Sequence, residues 1–130
     1  MASRKLRFAW VLLAAMLWLP AVSQASSQTG QAAQGEYQGL PVVALAKLPS
    51  EARNTLRAIK QSGPFTFKRD GAVFNNFERL LPKRQHGYYH EYTVPTPGMH
   101  SRGVRRIISG EAGEYYYTAD HYQTFKRILE

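Results

Sequence analysis

The stretch GYYHEYTVPTPGMHSRGVRRII (residues 87–108) decides how this chain folds. Its two ends are rich in Tyr, Thr, Val and Ile, residue types that suit a pleated, half-buried surface. Between them, Pro95-Thr96-Pro97-Gly98 offers two prolines that cannot donate to a strand ladder and a glycine that turns freely. The pattern predicts two antiparallel strands, 88–94 and 104–109, joined by a loop. Successive side chains of a strand alternate between faces. Tyr88, His90, Tyr92 and Val94 therefore share one face, and Tyr89, Glu91 and Thr93 share the other. His90 and Glu91 are neighbours that point apart, so Glu91 must find its partners on another strand. If the second strand is regular back to Arg102, then Arg102, Val104, Arg106 and Ile108 share a parity, and two guanidinium groups project from one face.

Working outward, LPSEARNTLRAIKQSGPF (48–65) is the one convincing helix. Pro49 suits a first helical position, Glu51 favours the positive end of the dipole, and Gly63-Pro64 stops the helix. Ala52, Leu56 and Ile59 fall on one face, with Arg53, Arg57 and Lys60 off it. From residue 72 onward the period changes. Runs rich in Val, Ile, Tyr, Phe and Thr are broken by Asn75-Asn76, Leu81-Pro82-Lys83 and Ser109-Gly110. One helix followed by a meander of strands implies an α+β domain, with the N-terminal helix packed on an antiparallel β-sheet.

The start of the chain reads differently. Arg4, Lys5 and Arg7 precede an apolar run, Phe8 to Leu19, which ends at Pro20 and is followed by Ser23-Gln24-Ala25. This is the layout of a secretory signal peptide over residues 1–25. Twelve apolar residues fall short of the roughly 20 that a membrane span needs, so no stable membrane association is expected and the protein is expected to be secreted. Cleavage would take away three cations and no acidic residue, lowering the formal charge from +8 to +5. Residues 26–38, SSQTGQAAQGEYQ, bury too little apolar surface to offset their ordering entropy and read as a flexible tail. The folded domain is then 39–130, one small core. With no cysteine in the chain, a thiol nucleophile, a thiolate metal site and a disulfide are all excluded.

The residues allow a specific chemistry. If Arg102 and Arg106 share the face of Glu91, the site holds a carboxylate among guanidinium groups, a surface suited to a phosphodiester. Cleaving RNA without a metal needs a base for the ribose 2′-OH, an acid for the departing 5′-oxygen and cations for the charge on phosphorus. Glu91 can be the base and His121, in TADHYQTF, the acid, with Arg102 and Arg106 as the electrostatic element. Taken singly, each of these is as easily a solvated surface group. A basic chain with many aromatics equally suits an RNA-binding module without catalysis.

In order and spacing, LPSEARNTL, SGPF, DGAVFNNFERLLP, GYYHEYTVPTPG, RGVRRIISGE and YYTADHYQTF resemble the guanyl-specific microbial ribonucleases, the barnase-like group, and most closely those of Streptomyces. The resemblance covers about 80 residues, Leu48 to Ile128, a far more specific signal than any single motif. It implies a helix on an antiparallel sheet and a secreted endoribonuclease that cuts single-stranded RNA 3′ to guanosine. Cleavage would pass through a 2′,3′-cyclic phosphate to a 3′-phosphate, with no cofactor. Glu91 would be the general base, His121 the general acid, and Arg102 and Arg106 the phosphate-binding arginines. Tyr122 would contact the phosphate. VFNNFE (73–78) would be the guanine loop, with Glu78 accepting from guanine and backbone N–H groups at Asn75, Asn76 and Phe77 facing it. Phe77 stands where close relatives have arginine, so it would stack on the base with Phe74 on the other side. The implied partners are RNA and a barstar-like acidic protein inhibitor, and the implied state is a monomer. The Streptomyces enzymes carry a disulfide whose first cysteine is replaced here by Ala44. Loss of such a bridge lowers stability by roughly 2–5 kcal/mol if nothing compensates.

Overall fold

Residues 36–130 are described by a computed structural model of the chain. The expected signal peptide, and the tail as far as residue 35, lie outside the described residues. In chain order the elements are β1 (Glu36–Tyr37), β2 (Leu40–Ala44), a 3₁₀ turn (Leu45–Lys47), α1 (Ser50–Lys60), β3 (Ala72–Val73), β4 (Tyr89–Thr93), β5 (Arg106–Gly110), β6 (Tyr115–Thr118) and β7 (Lys126–Leu129). The strands form one sheet in the order β1-β2-β7-β6-β5-β4-β3. The helix packs against β4 and β5. This is the α+β arrangement the sequence implies.

β4 and β5 pair antiparallel, with Glu91 opposite Ile108 and Thr93 opposite Arg106. Directly opposed residues share a face, so Glu91, Thr93 and Arg106 lie together. Arg102, however, is not on the strand. β5 begins at Arg106, and residues 102–105 are irregular. The expectation of a strand regular back to Arg102 is therefore corrected. Gly103, at φ 60°, bends the backbone in a way an extended strand does not allow.

The sheet departs from a purely antiparallel one at β2. Val42 to Ala44 run parallel to Arg127 to Leu129 of β7. Ala44 thus sits opposite Leu129. The boundary expected at Gly39 also shifts. Glu36 and Tyr37 pair with Pro41 and Leu40, which draws the last residues of the expected tail into the sheet edge. Pro49 is the residue before the first helical turn rather than within it.

Two clusters lie on opposite faces of the sheet. On the helix side, Leu48, Ala52 and Leu56 bury against Val94, Ile107, Tyr117 and Ile128. On the other side Leu81, Tyr89, Ile108, Tyr116 and Phe125 form a second cluster, edged by Phe74 and Tyr122. That second cluster is the floor on which the polar residues of β4 and β5 stand. Among the described residues no helix is long and apolar enough to cross a membrane.

Candidate active site

Glu91 is the centre. It is only 4% exposed, and a buried carboxylate is costly unless its oxygens are paired. Here both oxygens have partners. Oε1 accepts from Arg102 Nη2 at 3.2 Å and faces Arg69 Nε at 3.5 Å. Oε2 accepts from the Tyr122 hydroxyl at 2.9 Å. Burial, and then the bond to Glu91, push the Tyr122 hydroxyl above its ordinary pKa, so it stays a donor.

Arg106 is 2% exposed, and its position is over-determined. Nε donates to the Tyr122 hydroxyl at 3.1 Å, and Nη1 donates to the carbonyls of Gly103 and Arg105 at 3.0 and 2.8 Å. Those bonds leave Nη2 as the remaining nitrogen of the fork. Arg102 reaches the site from the loop instead of from the strand. Its Nε donates to Thr93 Oγ1 at 2.9 Å, which aims the same guanidinium at Glu91. Thr93 is itself fixed, its N–H donating to Asp70 Oδ1 and its carbonyl accepting from Thr55 of the helix.

His121 and Tyr122 sit on the turn between β6 and β7. Both are in the left-handed region, with φ of 54° and 69°. Such strain persists only where the surroundings over-determine it, and it clusters at functional sites. Here the surroundings are three side chains. Thr118 Oγ1 accepts from the Tyr122 N–H at 3.1 Å and donates to Asp120 Oδ1 at 2.9 Å. Asp120 also accepts from the Thr124 hydroxyl at 2.6 Å and the Thr124 N–H at 2.9 Å. These bonds from Thr124 hold the Asp120 carboxyl below the usual carboxylate range. The His121 N–H donates to Val104 O, and its ring lies 4.8 Å from that of Tyr122. His121 is exposed.

A cleft of about 270 Å³ runs from Glu91 and Tyr122 to the loop after β3. Phe74, Asn75, Asn76, Phe77 and Glu78 all line it. The loop is held by Asn76, at φ 53°, whose amide both donates to Leu81 O at 2.9 Å and accepts from Leu81 N at 3.1 Å. The Asn76 side chain is thus occupied, and what that residue presents to a ligand is backbone. Phe74 stacks on Tyr122 at 5.2 Å and 25°. One face of Phe74 is therefore already covered, whereas Phe77 is 86% exposed.

The structure brings Glu91, Arg102, Arg106 and Tyr122 into contact, and places Phe74, Asn75, Asn76, Phe77 and Glu78 along the same cleft. His121 adjoins Tyr122 but does not line the cleft. His90 points to the other face, its Nδ1 2.9 Å from Gly71 O. Sequence reasoning missed Arg69. The turn that carries it docks on β4 through the Gly71 N–H to Glu91 O bond and the Ala72–Glu91 pairing. Only that register reveals Arg69 as a neighbour of Glu91. Thr93 and the Thr118-Asp120-Thr124 brace were missed too, because small hydroxyls in a strand carry no signal of their own. Among the described residues no three His, Asp or Glu side chains converge as a metal site would require.

A family model described as ribonuclease matches residues 31–129. Guanyl-specific ribonuclease Sa of Kitasatospora aureofaciens is 58% identical over 87 residues, 66% of this chain and 91% of that protein. Guanyl-specific ribonuclease St of Saccharopolyspora erythraea is 48% identical over 95 residues, 73% of this chain and 94% of that protein. A solved structure of ribonuclease Sa2 in complex with mononucleotides superposes with a TM-score of 0.69 at 50% identity, over 70% of this chain and 95% of that one.

Proposed function

The chain belongs to the ribonuclease family and is a guanyl-specific endoribonuclease, and we propose that it cuts single-stranded RNA 3′ to guanosine by metal-free transesterification. Glu91 takes the proton of the ribose 2′-OH, and the oxygen attacks phosphorus. Arg102 and Arg106 hold the added charge on the five-coordinate phosphorus, helped by Arg69. His121 protonates the departing 5′-oxygen, leaving a 2′,3′-cyclic phosphate. Water then opens the ring to a 3′-phosphate with the two roles exchanged. Acid and base are each worth about 10²–10⁴-fold.

The observation that carries this reading is that Glu78 and Glu91 line one cleft. A single nucleotide can then place its base at the first carboxylate and its 3′-phosphate at the second. Glu78 accepts from guanine N1–H and the 2-amino group, and backbone N–H groups at Asn75, Asn76 and Phe77 face O6 and N7. Adenine offers the opposite pattern on that edge and leaves polar groups unpaired. Stacking falls chiefly to Phe77, since Phe74 is engaged with Tyr122. DNA binds but survives, for want of the 2′-OH.

The same reading includes secretion, supported by the layout of residues 1–25. It includes a monomer, and a barstar-like acidic inhibitor protein that would cover the cationic mouth by charge complementarity. The test is a short RNA with one guanosine, incubated with the protein in EDTA, with products resolved by mass. One cut after that guanosine, ending in a cyclic phosphate, is the expected result. Cuts after every base would sink the role of Glu78, and loss of cleavage in EDTA would sink the metal-free mechanism.

A further inference from the structure

A second cleft, of about 260 Å³, lies against the other side of the guanine loop. It shares Phe74 to Phe77 with the guanine cleft but contains neither Glu91 nor Tyr122. Its outer wall is the segment RLLPKRQH (79–86), which has no acidic residue and contributes Arg79, Lys83, Arg84 and His86. All four are exposed. The three permanent cations have no carboxylate within ion-pair distance among the described residues. Arg84 lies over the Tyr88 ring, 5.2 Å from its centroid, which restrains its side chain.

The base of this cleft is rigid. The paired bonds between Asn76 and Leu81 close one end, and the Tyr89 hydroxyl donates to Pro82 O at 2.6 Å. Unpaired cations on a fixed frame, beside the 86% exposed ring of Phe77, make up the surface that tracks a single-stranded backbone while bases stack. None of the four basic side chains takes part in the contacts around Glu91.

We propose that this basic cleft is a binding subsite for RNA phosphate on the 5′ side of the recognised guanosine. The proposal rests on the nucleotide placement argued above. The scissile 3′-phosphate lies with Glu91, Arg102 and Arg106 at one end of the guanine cleft. A strand that continues past the guanine loop in the other direction is the 5′-flanking strand, and it meets Lys83 and Arg84. The preferred substrate is then an oligonucleotide with the guanosine inside it, in place of one with guanosine at its 5′ end.

The experiment compares kcat/KM for GpU, UpUpGpU and GpUpUpU in the native protein and in the Lys83→Ala/Arg84→Ala double variant, across a salt series. The 5′ extension is expected to raise kcat/KM of the native protein on the order of three- to tenfold at low salt, through KM. In the variant that gain falls towards one. The salt slope for UpUpGpU becomes shallower by about 0.7 for each phosphate that the variant no longer neutralises. A native ratio of one, a gain only from the 3′ extension, or a 5′ gain that survives in the variant would each overturn the subsite. If the native protein left GpU itself uncut, the nucleotide placement would fail along with it.

Discussion

The two faces of the sheet use the same strands for opposite ends. On the helix side, Ile107 and Tyr117 bury against Ala52 and Leu56 in a mainly apolar cluster. One residue along, on the other face, stand Glu91, Thr93, Arg106 and Thr118, each buried and each polar. The helix face has little left to bind with. The polar face is held by bonds among its own members, and those bonds leave particular donors free. Arg106 keeps Nη2 while Nη1 holds the loop and Nε holds the Tyr122 hydroxyl. The α-helix closes one face of the sheet, and the polar residues stand on the other, over the second apolar cluster. Thr93 links the two, since its side chain aims Arg102 and its carbonyl receives the helix hydroxyl of Thr55.

The contrast can be broken by mutation, beginning with the largest effect. Glu91→Gln should lower kcat by about 10²–10⁴-fold while the thermal midpoint holds and RNA still binds. Rapid-quench kinetics with a binding titration read both, and a parallel loss of binding would make Glu91 structural. Leu56→Ala, on the helix face, should cost about 2–5 kcal/mol of stability with kcat of the folded protein unchanged. Denaturant melts read beside activity below the transition separate the two, and a kcat that falls in step would mean the faces are not independent.

Two smaller changes sharpen the picture on the polar face. Tyr122→Phe keeps the stack on Phe74 but removes the hydroxyl shared by Glu91 and Arg106. A roughly tenfold drop in kcat/KM is expected from the loss of those bonds, read by steady-state kinetics. An unchanged kcat/KM would show that the hydroxyl does not hold Glu91 and Arg106 in place. Asp120 gives the smallest effect. Its folded pKa is below the ordinary value, so its contribution is present above the unfolded pKa and is lost as pH falls through the folded one. The native protein should lose stability over that acid window slightly more steeply than Asp120→Asn. Identical melting profiles across the window would show that Asp120 does not brace the His121 turn.

Much of this was legible beforehand. The alternation in GYYHEYTV separates His90 from Glu91, and the period of Ala52, Leu56 and Ile59 picks out the buried face of the helix. Both are local geometric rules and need no partner. LPVVA (40–44) was not legible as a strand, because it has no alternation and contains Pro41. It becomes one by lying parallel to β7, a pairing between the two ends of the domain. The Arg102 expectation went wrong in its route and right in its destination. A parity argument assumed an unbroken strand, while Gly103 bends the chain and the side chain arrives from the loop.

By itself the sequence determined the α+β class, the face of Glu91 and, through its resemblance, the family and the residues to look at. Those follow from periodicity and motif order, which are properties of neighbours along the chain. Tertiary structure alone decided that Arg69 stands beside Glu91, that Tyr122 bridges Glu91 to Arg106, and that a basic cleft backs the loop 74–77. Each depends on which strands pair and in what register, and register is set by packing summed over the whole sheet.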